Sequence, residues 1–259
     1  MKPKRDRFVS LTVFRIFVSF FAVTAAAAAY AQAQIPDGTI LPVQLNTTIS
    51  PKSKAGDPVS ARIMQDVPLP EGRKIPERST VVGTISEIGP ATTGRGTIVH
   101  LRFNVLKVHG STMPIATGLR AIANMMDVDE AQIPVFGADR GTPRSAWTTV
   151  QVGGDVVYRG GGPVKSESGI AGKPVYPDGV LDELTANPDR GCDAGNNRPQ
   201  ALWVFSSAAC GTYGYKHLKI EHNGTTAPEG EIVLTSTHGG LKLRSGSGLL
   251  LETVPTETP

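Results

Sequence analysis

Short apolar runs broken by Gly and Pro dominate the chain, and long stretches with helical periodicity are missing. The clearest run is Ile98–Val108. Val99, Leu101, Phe103 and Val105 form one face, and His100, Arg102 and Asn104 the other. The alternation then shifts, since Leu106 and Val108 are apolar as well. Such a shift predicts a β-bulge or bend, or a strand end buried on both faces. Val59, Ala61 and Ile63 alternate with Ser60, Arg62 and Met64, and Val81–Ile88 is a further strand closed by Gly89-Pro90. Ile35–Leu45 is strand-like, with Pro36-Asp37-Gly38 as a turn, and Pro68–Gly72 is a hairpin-like connection. Strands return at Ala201–Phe205, Glu231–Thr235, Gly240–Arg244 and Leu249–Val254.

These elements predict an all-β fold, a small β-barrel or sandwich. Residues 34–119 supply one half, residues 201–254 close it, and residues 255–259 are a frayed tail. Residues 120–200 read as a long, loop-rich insertion. Within it Asn124–Gln132 is a short helix or an acidic loop, and Trp147–Tyr158 forms two short strands around Gly153-Gly154. Asp178–Pro199 is a polar excursion tied by Cys192.

The N-terminus changes the reading of charge. Lys2, Lys4, Arg5, Arg7 and Arg15 precede an uncharged, largely apolar run, Ile16–Ala29, and Tyr30-Ala31-Gln32-Ala33 carries small residues where a signal peptidase cuts. Residues 1–33 are therefore expected to be a cleaved secretory signal, and the protein to be periplasmic or extracellular with no membrane span afterwards. Of the 26 Lys+Arg and 23 Asp+Glu, five and one lie in that segment, leaving 21 bases against 22 acids. The basic balance of the whole chain thus gives no support to nucleic-acid binding. Cys192 and Cys210, the only two cysteines, lack Cys-x-x-Cys spacing; in an oxidising compartment such a pair is expected to form a structural disulfide.

The stretch Ile35-Pro36-Asp37-Gly38-Thr39-Ile40-Leu41-Pro42-Val43-Gln44-Leu45, with Val59–Ile63, Ile75-Pro76 and Ser79–Gly83, resembles the start of the TrbI-type β-barrel. That domain belongs to the outer-membrane core subunit of conjugation and type IV secretion channels. Phe103–Gly110 followed by Met113-Pro114-Ile115 resembles that family's strand-and-turn, with His109 where Asn is usual; Arg78 stands where Gly is usual. The resemblance covers about 85 residues plus the last 25 or so and implies a barrel fold. It carries no activity, because its motifs are turn chemistry. The family's membrane anchor, proline-rich linker and membrane-crossing helical hairpin have no counterpart, which brings the chain closer to secreted bacterial proteins of this barrel type.

Catalytic motifs are absent: no Gly-x-Ser-x-Gly, His-Glu-x-x-His, Walker A loop or dinucleotide fingerprint occurs. Ser206 and Ser207 beside His217 or His222 are the candidates for a nucleophile and base. Asp155, Asp178, Asp182 and Glu183 are the candidates for a carboxylate pair acting on polysaccharide. Asp127, Asp129 and Glu130 read as a solvated acidic loop rather than a calcium loop. No catalytic, cofactor or metal residue is assigned. Aromatics on loops suit protein or glycan recognition, which nominates Trp147, Tyr158, Tyr176, Tyr213 and Tyr215 as a binding surface. The competing assignment makes Trp203 and Phe205 core and the tyrosines ordinary packing. The expected function is a non-catalytic, exported cell-envelope module that uses its insertion to bind an envelope protein or glycan, with homo-oligomerisation allowed. The alternatives are a component of a secretion-like assembly and a cell-wall enzyme.

Overall fold

The alternation in Ile98–Val108 becomes a long strand with a bulge at the point where the alternation shifts. The structure is a computed structural model. It describes residues 35–91, 95–135, 143, 146–176, 178–193, 197–221 and 230–255; the expected signal peptide and His222 lie outside them. From Ile35 onward the chain forms one compact unit.

β1 (Ile40–Leu45), β2 (Pro58–Ile63), β5 (Thr80–Pro90) and β6 (Thr97–Val108) run as antiparallel neighbours. On one side they are extended by β17 (Ile232–Ser236) and β16 (Leu218–Ile220), on the other by β18 (Gly248–Thr253), β8 (Thr117–Ala123) and β15 (Gly211–Tyr213). β7 (Ser111–Pro114) hairpins back onto β6, and β3 (Val67–Pro68) pairs with β4 (Lys74–Ile75). The N- and C-terminal halves meet in the β1–β18 ladder, where Ile40 faces Glu252 and Gln44 faces Gly248. The edge strands β15 and β16 approach through Thr212 Oγ1, which donates to Leu218 O at 3.2 Å. No ladder between them closes the sheet, so the all-β architecture is sandwich-like rather than a closed barrel.

The bulge sits at Asn104: Val82 pairs with Val105, yet Gly83 pairs with Phe103. Phe103 and Leu106 are therefore both buried, Asn104 is exposed, and Val105 leaves the fully buried face expected for it. Gly83 is required here, because a Cβ would lie 1.8 Å from Arg102 O. The β6–β7 turn carries His109 and Gly110 at φ 46° and 85°, and Arg78 also takes a left-handed φ of 69°. At His109 and Arg78, Gly or Asn would be the easier residue.

Residues 120–200 contain more regular structure than the loops expected there. β9 (Thr148–Val150), β10 (Val156–Tyr158), β11 (Val164–Ser166), β12 (Gly169–Val175), β13 (Gly179–Asp182) and β14 (Gln200–Ala201) form a six-stranded antiparallel meander. Most are only two to four residues long, too short for alternation to stand out among the Gly-rich turns. Asn124–Gln132 contains a helix, α1 (Met125–Glu130), whose N-cap Asn124 accepts from Asp127 N at 2.8 Å; the acidic-loop alternative is thereby replaced.

A second correction concerns Ala201–Phe205. The strand ends at Ala201 and the chain turns, Phe205 N donating to Leu202 O at 2.8 Å, with buried Trp203 at φ 50°. Gly240–Arg244 likewise keeps only one bridge, Leu243 to Ile49. Because Leu202–Phe205 lies across the main sheet, β8, β18 and β1 are covered on both faces. Leu41, Val43, Leu249 and Leu251 belong to the sheet's own core, whereas Ile40, Ala121 and Leu250 pack with Trp203, Val204 and Phe205.

A buried turn must satisfy its backbone groups with side chains. Gln65 Oε1 accepts from Val180 N at 3.0 Å and Trp203 N at 2.8 Å, while its Nε2 donates to Val180 O at 2.8 Å. Gln151 Nε2 donates to Trp203 O and Phe205 O at 3.0 and 2.7 Å. Replacing Gln65 by Met keeps volume but strands these groups. The Gln65→Met variant is expected to lose about 2–5 kcal/mol in urea unfolding, a few unsatisfied buried groups at roughly 1–3 kcal/mol each. A loss below about 0.5 kcal/mol would contradict this role.

Candidate binding cleft

Strand alternation in the second sheet separates two faces. Val157, Val164 and Val180 are fully buried and form a small core of their own. On the opposite face the cross-strand register aligns Val150, Val156, Lys165 and Ile170 in one row. Val150, Val156 and Ile170 are all exposed, Ile170 at 75%. Solvent-facing positions of a half-covered sheet are ordinarily polar; Lys165, between Val156 and Ile170, fits that rule, and the three aliphatic side chains do not.

The row runs into an open cleft of about 430 Å³ between α1, the residues that follow it, and the β9–β10 turn. Exposed Ile133 and Val135 form one wall, Val135 N donating to Thr148 O at 2.9 Å. Val150, Gln151 and Gly153 line it from the β9–β10 side, and Tyr213 lines it as well. Asp127 and Glu130 from α1 supply negative charge; burial, then Glu130, raises the Asp127 pKa above its ordinary value.

The five nominated aromatics do not form one surface. Half-buried Trp147 and exposed Tyr158 are neighbours: Tyr158 pairs with Thr148, and Arg159 N donates to Trp147 O at 2.8 Å. Gly160 and Gly162 wrap the Tyr158 ring, where a Cβ on either would lie within 2.7 Å of it. Tyr213 lines the cleft, but its hydroxyl accepts from Cys210 N at 3.1 Å and the Arg190 guanidinium stacks 4.8 Å from its ring, so half of its role is structural. Tyr215 is removed from this site. It bonds Ser247 Oγ at 3.0 Å, lines a separate cleft of about 310 Å³ with Met125, Lys242 and Arg244, and burial pushes its pKa up. Tyr176 projects from the end of β12, 88% exposed. The aliphatic side chains Val150, Val156 and Ile170 carry no mark in the sequence that sets them apart from core residues. Only the register exposes them.

Cys192 and Cys210 form the expected disulfide, Cα–Cα 6.0 Å. Its loop is held to β8 by Arg120, whose buried guanidinium donates to Ala209 O at 3.1 Å, Thr185 O at 2.7 Å and Asp193 O. Burial lowers the Arg120 pKa and raises that of nearby Glu252.

The hydrolytic candidates are placed differently. The Ser206 hydroxyl is buried against Gly153, where a Cβ would lie 2.2 Å away. Ser207 donates both its N–H and its hydroxyl to Asp155 Oδ2, each at 2.8 Å. His217 packs its ring on His238, centroids 4.8 Å apart. Asp155 and Asp182 are brought together but buried, whereas Asp178 and Glu183 lie toward the surface. A polar network missed by the sequence reading spans β5, β6 and β17: Glu231 accepts from Ser86 Oγ at 2.7 Å, and from Arg102 Nε and His100 Nδ1 at 3.1 Å. Burial would raise the Glu231 pKa, but these donors outweigh it and lower it. Among the described residues no three His, Cys, Asp or Glu side chains converge as metal ligands, and no helix is long and apolar enough to cross a membrane.

No protein-family model and no curated protein matches the chain. The TrbI-type resemblance therefore rests on its turn motifs alone.

If the row is a recognition surface rather than hidden core, Val150→Thr and Ile170→Thr should each change stability by no more than about 0.5 kcal/mol. Val157→Thr, which puts a hydroxyl into the small core, should cost about 2 kcal/mol. Chemical denaturation of the three variants checks the contrast.

Proposed function

We propose that the chain is a non-catalytic, exported binding module of the cell envelope, and that its partner is a protein segment held in the cleft and along the Val150–Val156–Ile170 row. The observation that carries this reading is the row itself, three aliphatic side chains with Lys165 among them on the open face of a sheet, Val150 also lining a cleft. Aliphatic surface suits the apolar side chains of a protein; a glycan would favour flat aromatic platforms. Asp127 and Glu130, which line the cleft, favour a Lys or Arg on that segment. A glycosidase reading is disfavoured because Asp155 and Asp182, the carboxylates that do approach each other, are each only 4% exposed and cannot flank a sugar. Export is supported by the disulfide, which persists in oxidising compartments.

The test is selection from a displayed random peptide library on residues 35–259, in parallel with a Val150→Asp/Val156→Asp variant. Peptides rich in apolar residues with at least one Lys or Arg should be enriched on the native surface, and their affinity should fall at least tenfold on the variant. Equal enrichment on both would exclude the row as the binding surface.

A further inference from the structure

Backbone bonding along β9 alternates between its two edges. Toward β10, Arg159 N donates to Trp147 O at 2.8 Å and Gln151 N to Asp155 O at 2.7 Å; midway between these pairs Thr149 stands opposite Val157. In an antiparallel ladder every second residue turns its N–H and C=O to the partner strand. Thr148, Val150 and Val152 therefore turn theirs the other way, to the edge at which the second sheet ends. Two of the three are met there. Thr148 O accepts from Val135 N at 2.9 Å. Val152 N donates to Val204 O at 2.8 Å, and Val152 O accepts from Ser206 N at 2.9 Å. Val150 lies between them, and among the described residues no group pairs with its N–H or its C=O. It is 40% exposed and lines the cleft, as do Val135 and Val152.

An unpaired strand edge is a template for another strand. This one is a single open position, bounded at both ends by chain that is already paired. Resting on the reading that the cleft holds a protein segment, we propose how the segment is held: it is extended and adds to β9 as a strand, bonding through its own backbone to the N–H and C=O of Val150. Addition of this kind takes affinity from main-chain bonds and selectivity from alternate side chains. The residue set opposite Val150 turns its side chain to the face of Val150, Val156 and Ile170, and its two neighbours turn to the other face. An aliphatic residue at that position, with Lys or Arg nearby to answer Asp127 and Glu130, is the sequence this favours.

The experiment is backbone amide exchange by NMR on residues 35–259, alone and with millimolar acetyl-Lys-Val-Lys-Val-Lys-amide as the probe. In the free chain Val150 should exchange within about tenfold of an unstructured peptide, and Gln151 and Val152 about a hundredfold slower or more. The peptide should slow Val150 by about tenfold or more. N-methylation of both its Val residues, or of all its Lys residues, blocks one edge of the peptide at a time. One methylated form should lose the effect and the other keep it. Loss with methylated Val reports an antiparallel strand, and loss with methylated Lys a parallel one. A Val150 amide already protected in the free chain overturns the proposal, whether another segment of the chain or a second copy covers it. Shift changes at Ile133 and Tyr213 without protection of Val150, or the same outcome with both methylated forms, overturn strand addition and leave the cleft as a binding surface. No response at all also overturns strand addition, and the library selection then decides the reading of the cleft on its own.

Discussion

A buried turn with no strand to pair it is the constraint on which the two sheets depend. Leu202–Phe205 lies between them, rich in apolar area and therefore drawn inward, yet its amides and carbonyls cannot be left without partners. Gln65, from the loop after β2, and Gln151, from the end of β9, supply those partners from two distant parts of the chain. Each glutamine carries a donor and an acceptor, so one side chain can stand in for a neighbouring strand. The strained backbone of Trp203 is kept because its side chain fills the space between the sheets.

The same segment links interior to surface. Its continuation, Ser206 and Ser207, meets the β9–β10 turn, and that turn is both a wall of the cleft and the seat of Asp155. The disulfide and Arg120 then hold the next residues against β8, so the chain from 200 to 210 is anchored along its length. Hydrogen-bonded anchors are concentrated under the second sheet, while its outer face leaves Val150, Val156 and Ile170 exposed.

The alternation in Ile98–Val108 determined the long strand, and the shift at Leu106 determined the bulge, because side-chain parity in a strand is a local property. The cysteine pair and the two strands around Gly153-Gly154 were legible for similarly local reasons, lack of rivals and a turn dipeptide, whereas Asn124–Gln132 read equally as helix or acidic loop until the Asn124 cap appeared in the structure. Tertiary structure decided the rest. Ala201–Phe205 has the composition of a strand but turns, since its pairing edge is replaced by two glutamines far away in sequence. The strands of residues 156–182 are too short to show a period, so the aligned row Val150–Val156–Ile170 emerges only from cross-strand register. Asp155 and Asp182 look like any two surface acids until folding buries both, because burial of a polar side chain is set by what packs over it and not by its own sequence neighbours.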